Sequence, residues 1–403
     1  MYLSKKQEKM LDGEDGEGVR LAMQLITRIG DMYGADRLVE ISRSHVLGHF
    51  GSLHIAGVEL LEKFTNLGAK FIVPTTVDPI SIEPNRWKEL KIEPEYAEHQ
   101  LRLIKALNEM RVVPTYSCIP YLIGNVPRYK EVFAWSESSA VAYSNSIVGA
   151  RTNRMTAGFD IACAITGLTP NFGFLRDENR HGQVLVEVRK KELRDLDYHT
   201  LGYIVGKAVG NMIPVITGLS RESKADQLKG LGAAAASSGS VALFHVVGIS
   251  PDAGSAEEAF GPNKPEDKIV IDEEDIAKTE DEIGTSDEEP DLIAVGCPHF
   301  SVPEIIDLAR LVRGKKVKSG VEFWLYTSES ICNTAERMGL IPVLESAGIN
   351  VLCSTCAVVC PIRNWGFNVM MTNSAKFANV VPSEHGIDIA YAPLEKIVEV
   401  SMR

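Results

Sequence analysis

The chain has 403 residues, 45% hydrophobic and 24% charged, with 54 acidic against 42 basic side chains and a net charge of −12. That length predicts two or three domains at ~150 residues each, and the acidic balance argues against nucleic acid or an anionic membrane as partner. Seven cysteines are an odd number spread too thinly for a disulfide framework.

The opening segment, MYLSKKQEKMLDGEDGEG, is charged and lacks the apolar core of a signal peptide, so a cytoplasmic protein is expected. Apolar spacing predicts a helix over 21–33 and a short strand over 37–41, followed by Ser42-Arg43-Ser44-His45 and a glycine-rich turn through Gly48 and Gly51. A helix over 53–67, stopped by Gly68, leads to a strand over 70–74 and then Thr75-Thr76-Val77-Asp78. An amphipathic helix over 96–110 precedes a strand over 112–116 and Cys118. Such alternation implies a parallel sheet with right-handed crossovers, whose strand-end loops gather at one edge and bind ligands there. His45, Thr75, Thr76 and Cys118 are expected on that edge.

Ser136 or Ser138 would cap a helix starting near Ala140. Asn145 would lie inside it, and Arg151 and Arg154 would leave it. From 157 to 250 small residues recur, with strands over 183–188 and 214–217 around a helix over 200–212. The uncharged run 230–250, with His245 inside, reads as a packed glycine-rich loop and strand, too weakly apolar to span a bilayer. The acidic stretch 262–290 holds a strand over 268–272 and a polar helix over 273–283, and otherwise reads as surface or a domain join. A strand over 292–295 ends at Gly296-Cys297-Pro298-His299, and the capping box Ser301-x-x-Glu304 opens a helix to about 312. A strand over 321–326, a helix over 330–338, a strand over 349–352, and a final strand and helix over 387–402 complete the pattern. Three α/β units are expected, at 1–155, 156–262 and 263–403.

Three cysteines, Cys353, Cys356 and Cys360, follow the 349–352 strand within eight residues. Their spacing matches part of a ferredoxin run but lacks one ligand. Cys118 and Cys297 also follow predicted strands, so three loops at sheet edges could bring soft ligands to one cleft. Cys163 and Cys332 sit in apolar or helical patterns and read as core. Thr372-Asn373-Ser374-Ala375-Lys376 offers short donors and a cation for a carboxylate or phosphate.

Four segments, YSCIPY at 116–121, SESSAVAYSNSIVGART at 136–152, GCPHFS at 296–301 and STC at 354–356, resemble the aconitase X family, and the resemblance spans essentially the whole chain. It implies aconitase-superfamily three-layer α/β/α domains with mostly parallel sheets. It also implies a [4Fe-4S] cluster, isolable as [3Fe-4S], on Cys118, Cys297 and Cys356. Cys353 and Cys360 are then outside the ligand set. Three thiolates would leave one iron free as a Lewis acid toward a departing hydroxyl. Candidate catalytic groups are His45, Thr76, Ser138, Asn145 and His299, and candidate substrate-binding groups are Ser136, Arg151, Ser374 and Lys376.

The archaeal two-subunit type that the chain resembles implies dehydration of (R)-5-phosphomevalonate to trans-anhydromevalonate 5-phosphate, within the modified archaeal mevalonate route to isoprenoids. It implies a small swivelling-domain subunit as partner, which supplies a serine as base. No segment of this sequence reads as that domain. One alternative keeps the chemistry and changes the substrate to cis-3-hydroxy-L-proline. Another is a non-catalytic zinc or electron-transfer protein. The wide spacing of Cys118, Cys297 and Cys356 disfavours a zinc knuckle, and a carrier cluster would more naturally have four thiolates.

Overall fold

A computed structural model describes residues 1–403. Short apolar runs build three parallel sheets. In the first, Ser44–Val46 lies between Thr75–Val77 and Ala134–Trp135. An antiparallel pair, Leu38–Glu40 with Leu168–Pro170, completes this domain. In the second, Val184–Val188 lies between Pro214–Thr217 and Asp267–Ile271, with His245–Val246 at the edge. The third has the order Ile349–Leu352, Glu322–Tyr326, Leu292–Val295, Val369–Thr372, Asp388–Tyr391.

The order of strand addition in the third sheet reverses beside Leu292–Val295: the next two strands are added on one side and the last two on the other. At such a switch point the loops leave in opposite directions and open a crevice at the carboxyl edge. Cys297 follows one of the two central strands, and Ser374 and Lys376 follow the other. Alternate residues of this sheet enter different cores, as buried parallel strands require. Ile293, Val295, Phe323 and Leu325 pack in one core, and Leu292, Ala294, Trp324 and Tyr326 in another. Helices such as Val302–Val312 and Ala375–His385 cover the two faces, so the domain has three layers.

Several elements depart from the sequence reading. No ladder forms over 70–74; the strand begins at Thr75. The run 112–116 makes one isolated bridge, Thr76 with Val113. Much of the glycine-rich run is helix, Ala225–Ser238, because alanine favours helix, and Gly230 lies where that helix meets its neighbour Asp195–Val209. At Gly202 on that neighbour, a Cβ would stand 2.2 Å from the carbonyl oxygen of Leu231. Pairing also moves two segments across the expected domain limits: 168–170 joins the first domain, and 267–271 joins the second sheet. Backbone hydrogen bonds to distant strands override the local composition shifts on which those limits rested. No helix is long and apolar enough to cross a membrane.

Candidate active site

Cys118, Cys297 and Cys356 sit in three loops stitched together by one histidine. His299 is fully buried. Its backbone N–H donates to Cys118 Sγ at 3.3 Å, its Nδ1 lies 3.3 Å from Ser117 Oγ, and its Nε2 lies 3.1 Å from the Thr355 carbonyl oxygen. One side chain therefore binds the residues just before Cys118 and Cys356, from a position two residues after Cys297. Burial lowers its pKa to about 4, so the ring is neutral. Both nitrogens are engaged by the loops, which leaves His299, a catalytic candidate by sequence, to position them. Gly296, at φ 107°, lets the Cys297 loop press on the third sheet, since a Cβ there would lie 2.2 Å from the Tyr326 carbonyl oxygen. Ser374, at the N-cap of Ala375–His385, donates to the Cys297 carbonyl at 2.6 Å.

The three thiols are each 7% exposed, against 0% for Cys163 and 1% for Cys360. Burial pushes Cys297 up to about 11 and Cys356 to about 12, and raises Cys118 well above the ordinary thiol range. As free thiols they are protonated at neutral pH, and only a soft metal would hold them as thiolates. No group of three His, Cys, Asp or Glu side chains closes tightly enough for a single metal ion. A polynuclear cluster would take each thiolate on a different metal, so its ligands need not close on one ion. Cys118, Cys297 and Cys356 could hold such a group.

Beside them lies a largely enclosed cation, with 13% of its side chain exposed. Lys376 Nζ donates to Glu137 Oε1 at 2.7 Å. Burial works against its charge, but Glu137, Cys297 and Cys118 together hold its pKa well above the ordinary lysine range. The other oxygen of Glu137 accepts from Ser139 Oγ at 2.7 Å and from the Ala140 N–H. Glu137, rather than Ser136 or Ser138, therefore caps the helix Ser138–Tyr143. Ser136 instead donates to Asp160, which burial raises to about 6. Ser138 stands half-buried in the first turn.

A second group joins the first sheet. His45 Nδ1 lies 2.8 Å from Thr76 Oγ1, and Asn125 donates to the same oxygen at 2.7 Å. His45 Nε2 stands 3.7 Å from Asp78 Oδ1. His49 Nε2 stands 3.6 Å from the other Asp78 oxygen. Burial would raise Asp78, but the two imidazoles that face it, His45 and His49, outweigh it and hold it at about 2. His45 Nε2, His49 Nδ1 and Asp78 Oδ1 make no hydrogen bond although buried, which marks where a ligand would complete them.

Asn145 and Arg151 are not brought to this group. Asn145, in the π-helical turn Ser144–Val148, bonds the carbonyls of Thr152 and Ala242 and accepts from Thr152 N–H and Arg180. Arg151 is held by Asp177 at 2.9 Å and Asp252 at 3.1 Å, at the wall of an open cleft of about 580 Å³ with Arg37, Lys130 and Arg176. Both are consumed by structural bonds that sequence spacing does not reveal. Conversely, sequence reasoning misses Asp78, His49, Asn125 and Glu137 as members of the site. Asp78 carries one signal, as the carboxylate that ends the run Thr75-Thr76-Val77-Asp78 after the predicted strand 70–74 and directly follows the observed strand Thr75–Val77.

Parallel α/β domains that bring three cysteines and a largely enclosed lysine to a switch-point crevice define an aconitase-like protein. Models of the aconitase X first, second and third domains match residues 1–178, 182–281 and 290–403. The chain belongs to the aconitase X family. It is 43% identical to the phosphomevalonate dehydratase large subunit of Methanothermobacter thermautotrophicus, over 97% of this chain and 96% of that one. It is 36% identical to the cis-3-hydroxy-L-proline dehydratase of Pseudomonas aeruginosa, over 98% of this chain but 69% of that protein. The crystal structure of Thermococcus kodakaraensis aconitase X in its holo-form superposes with a TM-score of 0.91 at 35% identity, covering 100% of both chains.

Proposed function

We propose that the chain is the large, catalytic subunit of a hydro-lyase that dehydrates (R)-5-phosphomevalonate to trans-anhydromevalonate 5-phosphate. The observation that carries this reading is the convergence of Cys118, Cys297 and Cys356 with the Lys376–Glu137 pair. The archaeal relatives named phosphomevalonate dehydratase large subunit support the substrate. A [4Fe-4S] cluster on the three cysteines, isolable as [3Fe-4S], would supply a Lewis-acidic iron for the departing hydroxyl.

The chain's own groups bind and orient the acid. Lys376 places a fixed positive charge where the carboxylate gains negative charge as the α-proton leaves. Asp78, ionised between two imidazoles, faces the Nε2 edge of His45, and Thr76 with Asn125 fixes the ring. Ser138 offers a hydroxyl at the rim. His299 and Ser374 hold the loops in register. The crevice excludes water once covered, and a small swivelling-domain subunit is the cover we propose. That partner would supply a serine base on the substrate face opposite the cysteines. The greater length of the hydroxyproline dehydratase relative fits a family in which the same task is met within one chain.

Anaerobic mixing of the purified chain with a separately expressed small subunit should create turnover of mevalonate 5-phosphate that neither has alone. Full activity of this chain by itself would remove the partner. Turnover of cis-3-hydroxy-L-proline with none of mevalonate 5-phosphate would remove the substrate.

A further inference from the structure

Two buried phenols stand beside the cysteine loops without a hydrogen-bond partner, Tyr121 and Tyr326. Tyr326 ends the strand Glu322–Tyr326 and is fully buried. It is in register with Leu352, its carbonyl accepts from Phe300 N–H at 3.0 Å, and its ring packs edge-on against Phe377 at 5.8 Å. It thus stands between the strand ends that launch the Cys297 and Cys356 loops, and shares one core with both cysteines. Tyr121, 5% exposed, lies three residues beyond Cys118, its ring stacked on Tyr143 at 4.2 Å.

Packing alone does not ask for either hydroxyl. Phenylalanine would fill the same space, and an unpaired hydroxyl in a dry core is a penalty that folded proteins avoid unless a ligand supplies the acceptor. Burial and neighbouring acidic groups, the thiols among them, raise both phenols well above their ordinary range. They are donors in want of an acceptor. We propose that Tyr121 and Tyr326 donate hydrogen bonds to the sulfurs of the cluster, and so set its reduction potential and its retention. This rests on the cluster reading above. A donor on sulfur favours the reduced, more negative state and raises the potential.

Tyr326→Phe, Tyr121→Phe and the double variant, prepared anaerobically with the small subunit present, test it. Each single change should move the midpoint potential to more negative values in a titration followed by electron paramagnetic resonance, and the double change should move it further. Loss of visible absorbance to an iron chelator should be about five- to tenfold faster per hydroxyl removed, the factor an ordinary hydrogen bond carries. The cluster-free variants should melt no lower than the cluster-free parent, because only an unpaired hydroxyl has gone. Unchanged potential and chelation rate, or a lower melting point of the cluster-free variants, would overturn the assignment. Absence of acid-labile sulfide from the parent would instead sink the cluster reading itself.

Discussion

Each of the three proposed ligands is a cysteine with 7% exposure in a loop of the site, whereas Cys163 is sealed in the core of the first domain. The difference is chemical as well as geometric. A serine oxygen is a poor ligand for a soft metal, so Cys118→Ser, Cys297→Ser and Cys356→Ser should each bleach the visible absorbance of the anaerobic protein. Cys163→Ser should leave it, and Cys360→Ser likewise. Bleaching by Cys360→Ser with colour retained in Cys118→Ser would reverse the assignment. Lys376→Met leaves Glu137 without its cation and takes away the charge meant for the carboxylate. It should lower kcat/KM about a hundredfold, measured with the small subunit present. The cysteines stand out in the sequence because the type is rare and follows strand ends, and Lys376 because it closes the donor run Thr372–Lys376. Asp78 does not, because its meaning comes from His45 and His49 on another strand and the loop beyond.

Among the elements, capping and periodicity carried well where the chain decides locally. The capping box Ser301–Glu304 forms as read, the strands Pro214–Thr217, Leu292–Val295 and Ile349–Leu352 fall at the expected residues, and Glu273–Ile283 is the polar helix. The helix Ser138–Tyr143 shows the limit: its cap is Glu137, fixed in turn by Lys376, 239 residues away. Glycine spacing in Asp195–Val209 is explained only by its neighbour Ala225–Ser238. Gly202 and Gly206 face Leu231 and Ala235, where a Cβ would come within 2.2 Å and 2.6 Å of backbone carbonyl oxygens. Gly202→Val should therefore push the two helices apart and destabilise the protein by about 3 kcal/mol, an overpacking cost. Urea unfolding measures it, and a change below 0.5 kcal/mol, roughly the spread of neutral surface substitutions, would contradict this packing.

Across the whole molecule, one buried ion cluster fastens the second domain to the third. Lys229, 2% exposed, pairs with Asp226 at 2.9 Å and with Glu304, and donates to the His299 carbonyl at 3.1 Å. Burial lifts Glu304 to about 7, with Lys229 pulling the other way. A carboxyl whose folded pKa exceeds its unfolded value of 4.5 holds its proton more tightly when folded. Its contribution is complete below that value and fades as pH rises toward 7. Stability of the cluster-free chain should fall by about 2 kcal/mol between pH 5 and pH 8 from this group. Glu304→Gln should flatten that part of the profile, as read from urea midpoints at the two pH values. An unchanged slope in the variant would show that Glu304 is ionised throughout. Lys229→Met, which strands two carboxylates, should cost about 3–5 kcal/mol.

The sequence by itself determined the parallel α/β character, most helices and strands of the third domain, and the residue types able to bind a soft metal and an acid. Those properties are written in stretches of about ten residues, where side-chain period and end caps act on the local backbone. Only the tertiary structure decided which candidates meet. It joined Ser117 to His299 across 182 residues and His299 to Thr355 across 56, set Asp78 between two histidines, and drew Arg151 and Asn145 away into structural bonds. It also carried 168–170 and 267–271 into sheets begun elsewhere. Long-range contacts of this kind depend on how whole sheets and helices stack, and no local pattern encodes the stacking.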